Sequence, residues 1–206
     1  MSTGANGACA AGETGWRAQR RARILDAAAK QFAERAYVLV QMDDIARAAG
    51  MGKPTIYRYF PSKEELYLEI FDRALTALVA RIQSYRDQDL TPGDAMAAII
   101  VAILETFSLH IGTLRSMFAD EAELADRIRR VFRGRRREIN ALLSGALQDG
   151  MAAGAFRDLD LDTTPGVLVG MCWGGIMGAP AAKPSALATT ICTIFLEGAC
   201  FSPRAH

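Results

Sequence analysis

Apolar residues recur at helical spacing along most of this chain. Ile24, Leu25, Ala28 and Phe32 share one face and predict a first helix over residues 17–35. Residues 36–41 have no periodicity and read as a connector. Residues 42–49 form a second helix, with Asp43 and Asp44 in its first turn and Ile45 and Ala49 facing inward. Gly50 stops it, and Lys53 or Pro54 opens a third helix with Ile56 and Phe60 inward. Pro61 ends that helix. Ser62 then caps a fourth over 63–86, with Glu65 completing a capping box. Further helices are expected from Thr91-Pro92 to a stop at Gly112, over 114–118, and over 121–150. Residues 154–162 read as a polar connector. Thr164-Pro165 opens a Gly-rich helix ending near Gly178, and residues 185–200 form the last. No segment alternates with period two between turns, so the fold class is all-α.

The pair of short helices at 41–60, QMDDIARAAGMGKPTIYRYF, carries the chemistry. A helix-turn-helix needs a short helix, a tight turn, and a recognition helix whose early residues reach base edges. Lys53, Thr55, Tyr57, Arg58 and Tyr59 lie on or beside the second helix. Threonine can bond a base edge or touch a thymine methyl, whereas Tyr, Lys and Arg hold phosphates and fix register. Gln41 at the entry to the second helix and Lys63 at the start of the fourth could hold further phosphates. Tyr57 and Tyr59, two apart, cannot both face the core. The string GMGKPT is not a phosphate-binding loop, since Arg47 and Pro54 stand where a glycine and a Ser or Thr are required.

Charge separates along the chain in the same sense. Residues 1–63 hold 10 Lys+Arg against 5 Asp+Glu, whereas the rest of the chain is net negative although the whole is only +1. A basic part suggests a polyanionic partner for that part. Cys9, Cys172, Cys192 and Cys200 have no metal-ligand spacing, and only two histidines are present. No metal or cofactor is expected. Three of the cysteines fall in apolar helical stretches and read as small buried hydrophobes, with a thiol sensor as the alternative. A reducing cytoplasm suits that usage. Residues 1–16 read as a disordered tail without the features of a secretory signal. Residues 165–182 are uncharged, but five glycines and Pro180 argue for a buried helix and against a membrane span.

In order and spacing, ILDAAAKQFAE, MDDIARAAG, KPTIYRYF and SKEELY, over residues 20–71, resemble the TetR family of bacterial transcriptional regulators. The resemblance implies about nine helices. A three-helix DNA-binding domain at 17–62 precedes a helical domain at 63–206 that binds an effector and dimerises. Its DNA contacts map onto Gln41, Met42, Gly52, Lys53, Pro54, Thr55, Tyr57, Tyr59 and Lys63. Val40, Gln41 and Gly52 stand where the family often has hydroxyls, which shifts phosphate anchoring toward Lys53, the tyrosines and Lys63. Ala36 replaces a usual glycine.

The family's last two long helices form a four-helix dimer interface. Gly170, Gly174 and Gly178, with Trp173 and Met177 on an adjacent face, are candidates for it here, or for packing inside one subunit. Phe107, His110, Met117, Phe118 and Met171 are either core or the wall of an effector cavity. The seven arginines between Arg127 and Arg137 read as a solvated helix face, or as a second anion site. His110 lacks a visible carboxylate or serine partner, so no catalysis is expected. The resulting reading is a homodimeric cytoplasmic repressor of a near-palindromic double-stranded operator, released by a small apolar or amphipathic effector. The alternatives are a small-molecule carrier with a vestigial DNA-binding domain, and an enzyme using the helical cavity.

Overall fold

A computed structural model describes residues 6–120, 122–179 and 181–199, and the side chains of 15–110, 126–179 and 181–198. Among these residues there are eight α-helices and no strand. They are α1 (Asn6–Glu34), α2 (Met42–Ala49), α3 (Lys53–Tyr59), α4 (Lys63–Ser84), α5 (Pro92–Asp120), α6 (Ala122–Ala152), α7 (Thr164–Gly178) and α8 (Pro184–Ala199). Single 3-10 turns at Tyr37–Leu39 and Tyr85–Asp87 follow α1 and α4. Two compact units divide the chain at Phe71 and Asp72, inside α4.

Two expectations change. The tail ascribed to residues 1–16 is helical from Asn6, while residues 1–5 lie outside the described residues. Alanines 8, 10 and 11 are strong helix formers, and they let α1 extend past its glycines. Likewise α5 does not stop at Gly112 but runs to Asp120, absorbing the short helix expected at 114–118. A lone interior glycine costs only about 1 kcal/mol relative to alanine, too little to end a helix whose neighbours favour it. Among the described residues the all-α expectation of about nine helices holds with eight.

In the N-terminal unit Ile24, Leu25, Ala28 and Phe32 of α1 are buried with Val40, Ile45, Ile56, Phe60, Leu66 and Tyr67. Gly50 takes the left-handed conformation, φ 65° and ψ 38°, which glycine adopts without a Cβ penalty. The Met51 N–H then reaches back to the Ala46 carbonyl at 2.9 Å, closing α2. Arg23 of α1 donates to the Ala49 carbonyl at 3.1 Å, placing a cation at the negative end of that helix. Ser62 Oγ accepts from the Glu65 N–H at 3.2 Å and caps α4.

In the C-terminal unit α5 is the central helix, packed against α6, α7 and α8. Its segment Pro92–His110 is long and apolar enough to cross a membrane by length and composition. Here Met96, Ile99, Ile100, Ile103, Leu104 and Phe107 are core residues. Arg135 of α6 grips Asp72 with two hydrogen bonds of 3.0 and 3.2 Å. Along α7, Leu168, Cys172 and Ile176 turn inward while Val167, Gly170, Gly174 and Gly178 are exposed.

Candidate nucleic-acid interface

The seven-residue α3 has one buried side, Ile56, followed by the buried Phe60 just past its end. Burying those two turns Lys53, Pro54, Tyr57 and Arg58 outward, and all four are exposed. Beside this face lies a groove of about 510 Å³, lined by residues of α2, α3 and the start of α4. Gln41, Met42, Lys53, Tyr57 and Lys63 meet there. Met42 forms its buried floor, at 7% exposure, and Tyr57 stands in solvent at 41%. Gly52 and Pro54 are exposed nearby. Gly52 is the residue before α3, and a Cβ on it would meet only Pro54, at 3.8 Å. Thr55 and Tyr59 are half-buried and do not line the groove.

The groove is not a simple cationic surface. Asp43, Asp44 and Glu64 also line it. Lys53 Nζ lies 2.8 Å from Asp43 Oδ1, and that hydrogen bond and charge raise the lysine's pKa. Lys63 donates to the Tyr37 carbonyl at 3.1 Å and sits 4.2 Å from the centre of the Tyr37 ring. Partial burial pushes the Glu64 carboxyl upward. Hydrogen bonds from its own N–H, Ser62 and Tyr37, with the Lys63 charge, outweigh that and leave it below the ordinary value. Both lysines expected to anchor phosphate are therefore already engaged. From the sequence alone Asp43 is a first-turn acid that complements the α2 dipole. Its position ten residues before Lys53 becomes a contact only when Gly50 folds α2 back against α3.

An exposed pair like Lys53–Asp43 is weak in water, yet Asp43 repels any phosphate that approaches the groove. Asp43→Asn should keep the side-chain shape, free Lys53, and tighten binding to any duplex about fivefold at low salt. Fluorescence anisotropy with a labelled duplex reads this directly; unchanged or weaker binding would mean that the groove does not face DNA.

Residues 24–70 match the family described as bacterial regulatory proteins, tetR family, and residues 89–175 match a tetracyclin repressor-like C-terminal domain. An uncharacterized HTH-type transcriptional regulator of Bacillus subtilis, YhgD, is 30% identical over 73% of this chain and 78% of its own length. The chain belongs to the TetR family. Within that family, the HTH-type transcriptional repressor KstR2 of Mycolicibacterium smegmatis is 32% identical over 70% of this chain and 72% of the repressor. The solved structure of the regulator FadR from Bacillus subtilis in complex with stearoyl-CoA superposes with a TM-score of 0.62. It is 20% identical, covering 85% of this chain and 97% of that one. As a TetR-family member the protein is a DNA-binding transcriptional regulator, and the exposed face of α3 lies in its matched DNA-binding segment.

The other expected site residues belong to the C-terminal unit. Phe107 is buried, its ring edge-on to Phe132 at 5.6 Å and to Trp173 at 5.7 Å. Trp173, read as an interface residue, thus has an aromatic partner inside its own subunit. His110 is buried, and that burial pushes its imidazole down to about 4, so it is neutral near pH 7. Met171 and Met177 are half-buried. The side chains of Met117 and Phe118 lie outside the described residues. Burial raises the Cys172 thiol to about 12 and also raises Cys192, so both stay protonated at neutral pH. Cys200 and the side chain of Cys9 lie outside the described residues.

Among the arginines of α6, Arg129 and Arg130 pair with Asp126, and Arg135 pairs with Asp72 and Glu138. These pairs match a solvated, partly neutralised helix face.

Proposed function

We propose that this TetR-family regulator is a homodimeric repressor that a small apolar or amphipathic effector releases from a near-palindromic operator. The DNA-binding part is assigned to residues 17–62, and effector binding and dimerisation to 63–206. The observation that carries this reading is the outward face of α3, Lys53, Pro54, Tyr57 and Arg58, held rigidly by Ile56 and Phe60 beneath it. Gln41, Met42, Gly52, Thr55, Tyr59 and Lys63 flank that face as supporting contacts. Two such faces, one per protomer, would enter successive major grooves roughly 34–36 Å apart.

Dimerisation is assigned to the exposed sides of α7 and α8. Val167 and Ile194 are 58% and 59% exposed, and Cβ atoms at Gly170, Gly174 and Gly178 would meet nothing within 4 Å. A smooth, partly apolar face of this kind favours close helix approach in a four-helix interface, with Trp173 and Met177 at its inner margin.

The effector is assigned to the apolar interior around Phe107, His110 and Met171, with Met117 and Phe118 further along α5. A buried, neutral histidine suits an uncharged or amphipathic ligand, and the FadR complex with stearoyl-CoA is a precedent for that chemistry in this fold. The cytoplasm is the compartment where such a regulator would meet DNA.

Release requires the effector to bind the non-DNA-binding state better. The test is a preformed complex of protein and its own promoter fragment, challenged with long-chain acyl-CoA thioesters and with neutral sterols. Release by one class, at concentrations that leave an unrelated DNA-binding protein in place, supports the reading. A monomer on sedimentation, or a complex that no member of either class disturbs, contradicts it.

A further inference from the structure

Most of the positive charge in the N-terminal unit is spoken for. Lys53 is paired with Asp43, Arg35 and Arg47 with Asp44, and Arg21 with Glu69, while Arg23 and Lys63 are committed to carbonyls. Among the described residues Arg17, Arg20, Lys30 and Arg58 have no ion-pair or hydrogen-bond partner. Three of these four gather at one place. Trp16, Arg17, Arg21, Arg58 and Tyr59 line a cleft of about 280 Å³. Arg20 stands beside it, its guanidinium 4.7 Å from the centre of the Trp16 ring. Among the described residues no carboxylate lines this cleft, in contrast to the three in the groove on the Tyr57 side.

The helix carrying Arg17 and Arg20 is not held there by the core. Residues 15–20 are all exposed, and core burial along α1 begins at Ile24. Ring contacts fix the arginines instead. Arg17 lies 5.6 Å from the Trp16 ring centre, and Arg58 lies 5.9 Å from that of Tyr59. Guanidinium groups resting near ring faces keep hydrogen-bonding edges free, so less ordering entropy remains to be lost when an anion arrives. Arg21 supports the cleft from behind. It contacts the Glu69 carboxylate through two nitrogens, donates to the Tyr59 carbonyl at 3.3 Å and covers the Phe60 ring at 4.4 Å. That bond also quenches a carbonyl at the C-terminal end of α3, which would otherwise repel a phosphate.

We propose that Arg17, Arg20 and Arg58 form a second DNA contact, a clamp on the phosphate backbone at the C-terminal edge of the recognition helix. It is continuous with the outward face of α3 through Arg58 and extends the footprint beyond the base-reading residues. It reads no sequence, since guanidinium–phosphate contacts position a protein without distinguishing bases. This inference rests on the DNA-binding reading of α3.

The test compares wild type, Arg17→Ala/Arg20→Ala, Arg58→Ala and Lys30→Ala. Each is titrated with the protein's own promoter fragment and with an unrelated duplex, across roughly 50 to 200 mM salt. Each lost phosphate contact should lower the slope of log K against log salt by about 0.9. The expected result is a slope smaller by about two for the double variant, and by about one for Arg58→Ala, on both duplexes. Lys30→Ala, on an exposed turn further along α1, should match wild type. Wild-type binding with an unchanged slope in the double variant overturns the clamp alone, as does an equal change in Lys30→Ala. A wild-type protein that binds neither duplex at 50 mM salt overturns the DNA-binding reading together with the clamp.

Discussion

Replacing Tyr37 with alanine is expected to unfold the DNA-binding helices while leaving the C-terminal unit intact. Tyr37 is 1% exposed, stacks on Phe32 with ring centres 5.6 Å apart, and meets Tyr67 edge-on at 5.5 Å. Its hydroxyl donates to Glu64 at 3.0 Å and its carbonyl accepts from Lys63 at 3.1 Å. Through its ring and hydroxyl this side chain ties α1 to the start of α4, with α2 and α3 between them in sequence. Removing a buried aromatic ring costs roughly 3–5 kcal/mol, a large part of the roughly 5–15 kcal/mol that holds a domain folded. Hydrogen exchange should show amides of α2 and α3 losing protection while those of α5 keep theirs, and DNA binding should disappear. Tyr37→Phe keeps the ring, removes the hydroxyl that donates to Glu64 and should cost about 1 kcal/mol. Full protection of α2 and α3 in the alanine variant would show that the tyrosine is not their anchor.

The second large effect is expected at Gly150. The chain reverses after α6 through Gly154, at φ +69°, and the N–H groups of Ala155 and Phe156 return to the Gly150 carbonyl at 2.9 and 3.1 Å. That reversal lays the buried Phe156 ring against the Gly150 backbone. A Cβ at position 150 would lie 2.2 Å from Phe156 Cδ2 and 2.4 Å from Cε2, inside any tolerable contact. The residue is only 4% exposed, so the ring cannot swing away from position 150 into solvent without giving up its burial. Gly150→Ala should therefore lower stability by about 1–3 kcal/mol through overpacking, despite alanine's better helix propensity. A double-mutant cycle with Phe156→Ala separates this cause from others. The two losses should be strongly non-additive, because the alanine at 150 becomes harmless once the ring is gone. Additive losses would place the strain elsewhere.

Much of the N-terminal unit was legible in the sequence because its signals are local. Gly50, the Ser62 cap and the inward positions Ile45, Ala49, Ile56 and Phe60 each depend on residues within one or two turns. Tyr37 was not legible. It sits in an aperiodic connector, and its partners Phe32, Glu64 and Tyr67 are assembled only by the fold. The same holds for Lys53 and Lys63, which look like free phosphate ligands until Asp43 and the Tyr37 carbonyl are brought to them. Arg58 is legible as a residue of the recognition helix, but its proximity to Arg17 and Arg20 is not, because 38 positions separate Arg20 from Arg58 along the chain. In the C-terminal unit, Gly112 misled because a glycine's small penalty was read as a stop. Gly150 was read as a helix end, whereas α6 runs to Ala152 and the glycine clears space for a ring.

The central claim is that the outward face of α3 reads a specific operator. The most direct measurement is the ratio of dissociation constants for the protein's own promoter region and a shuffled duplex of equal length, at one fixed salt near 150 mM. Specific readout by this face gives a ratio of at least about a thousand, the ordinary margin of specific over non-specific binding. Tyr57→Ala should weaken both affinities, while Thr55→Ala should narrow the ratio itself. Equal affinity of the wild-type protein for both duplexes would contradict that claim.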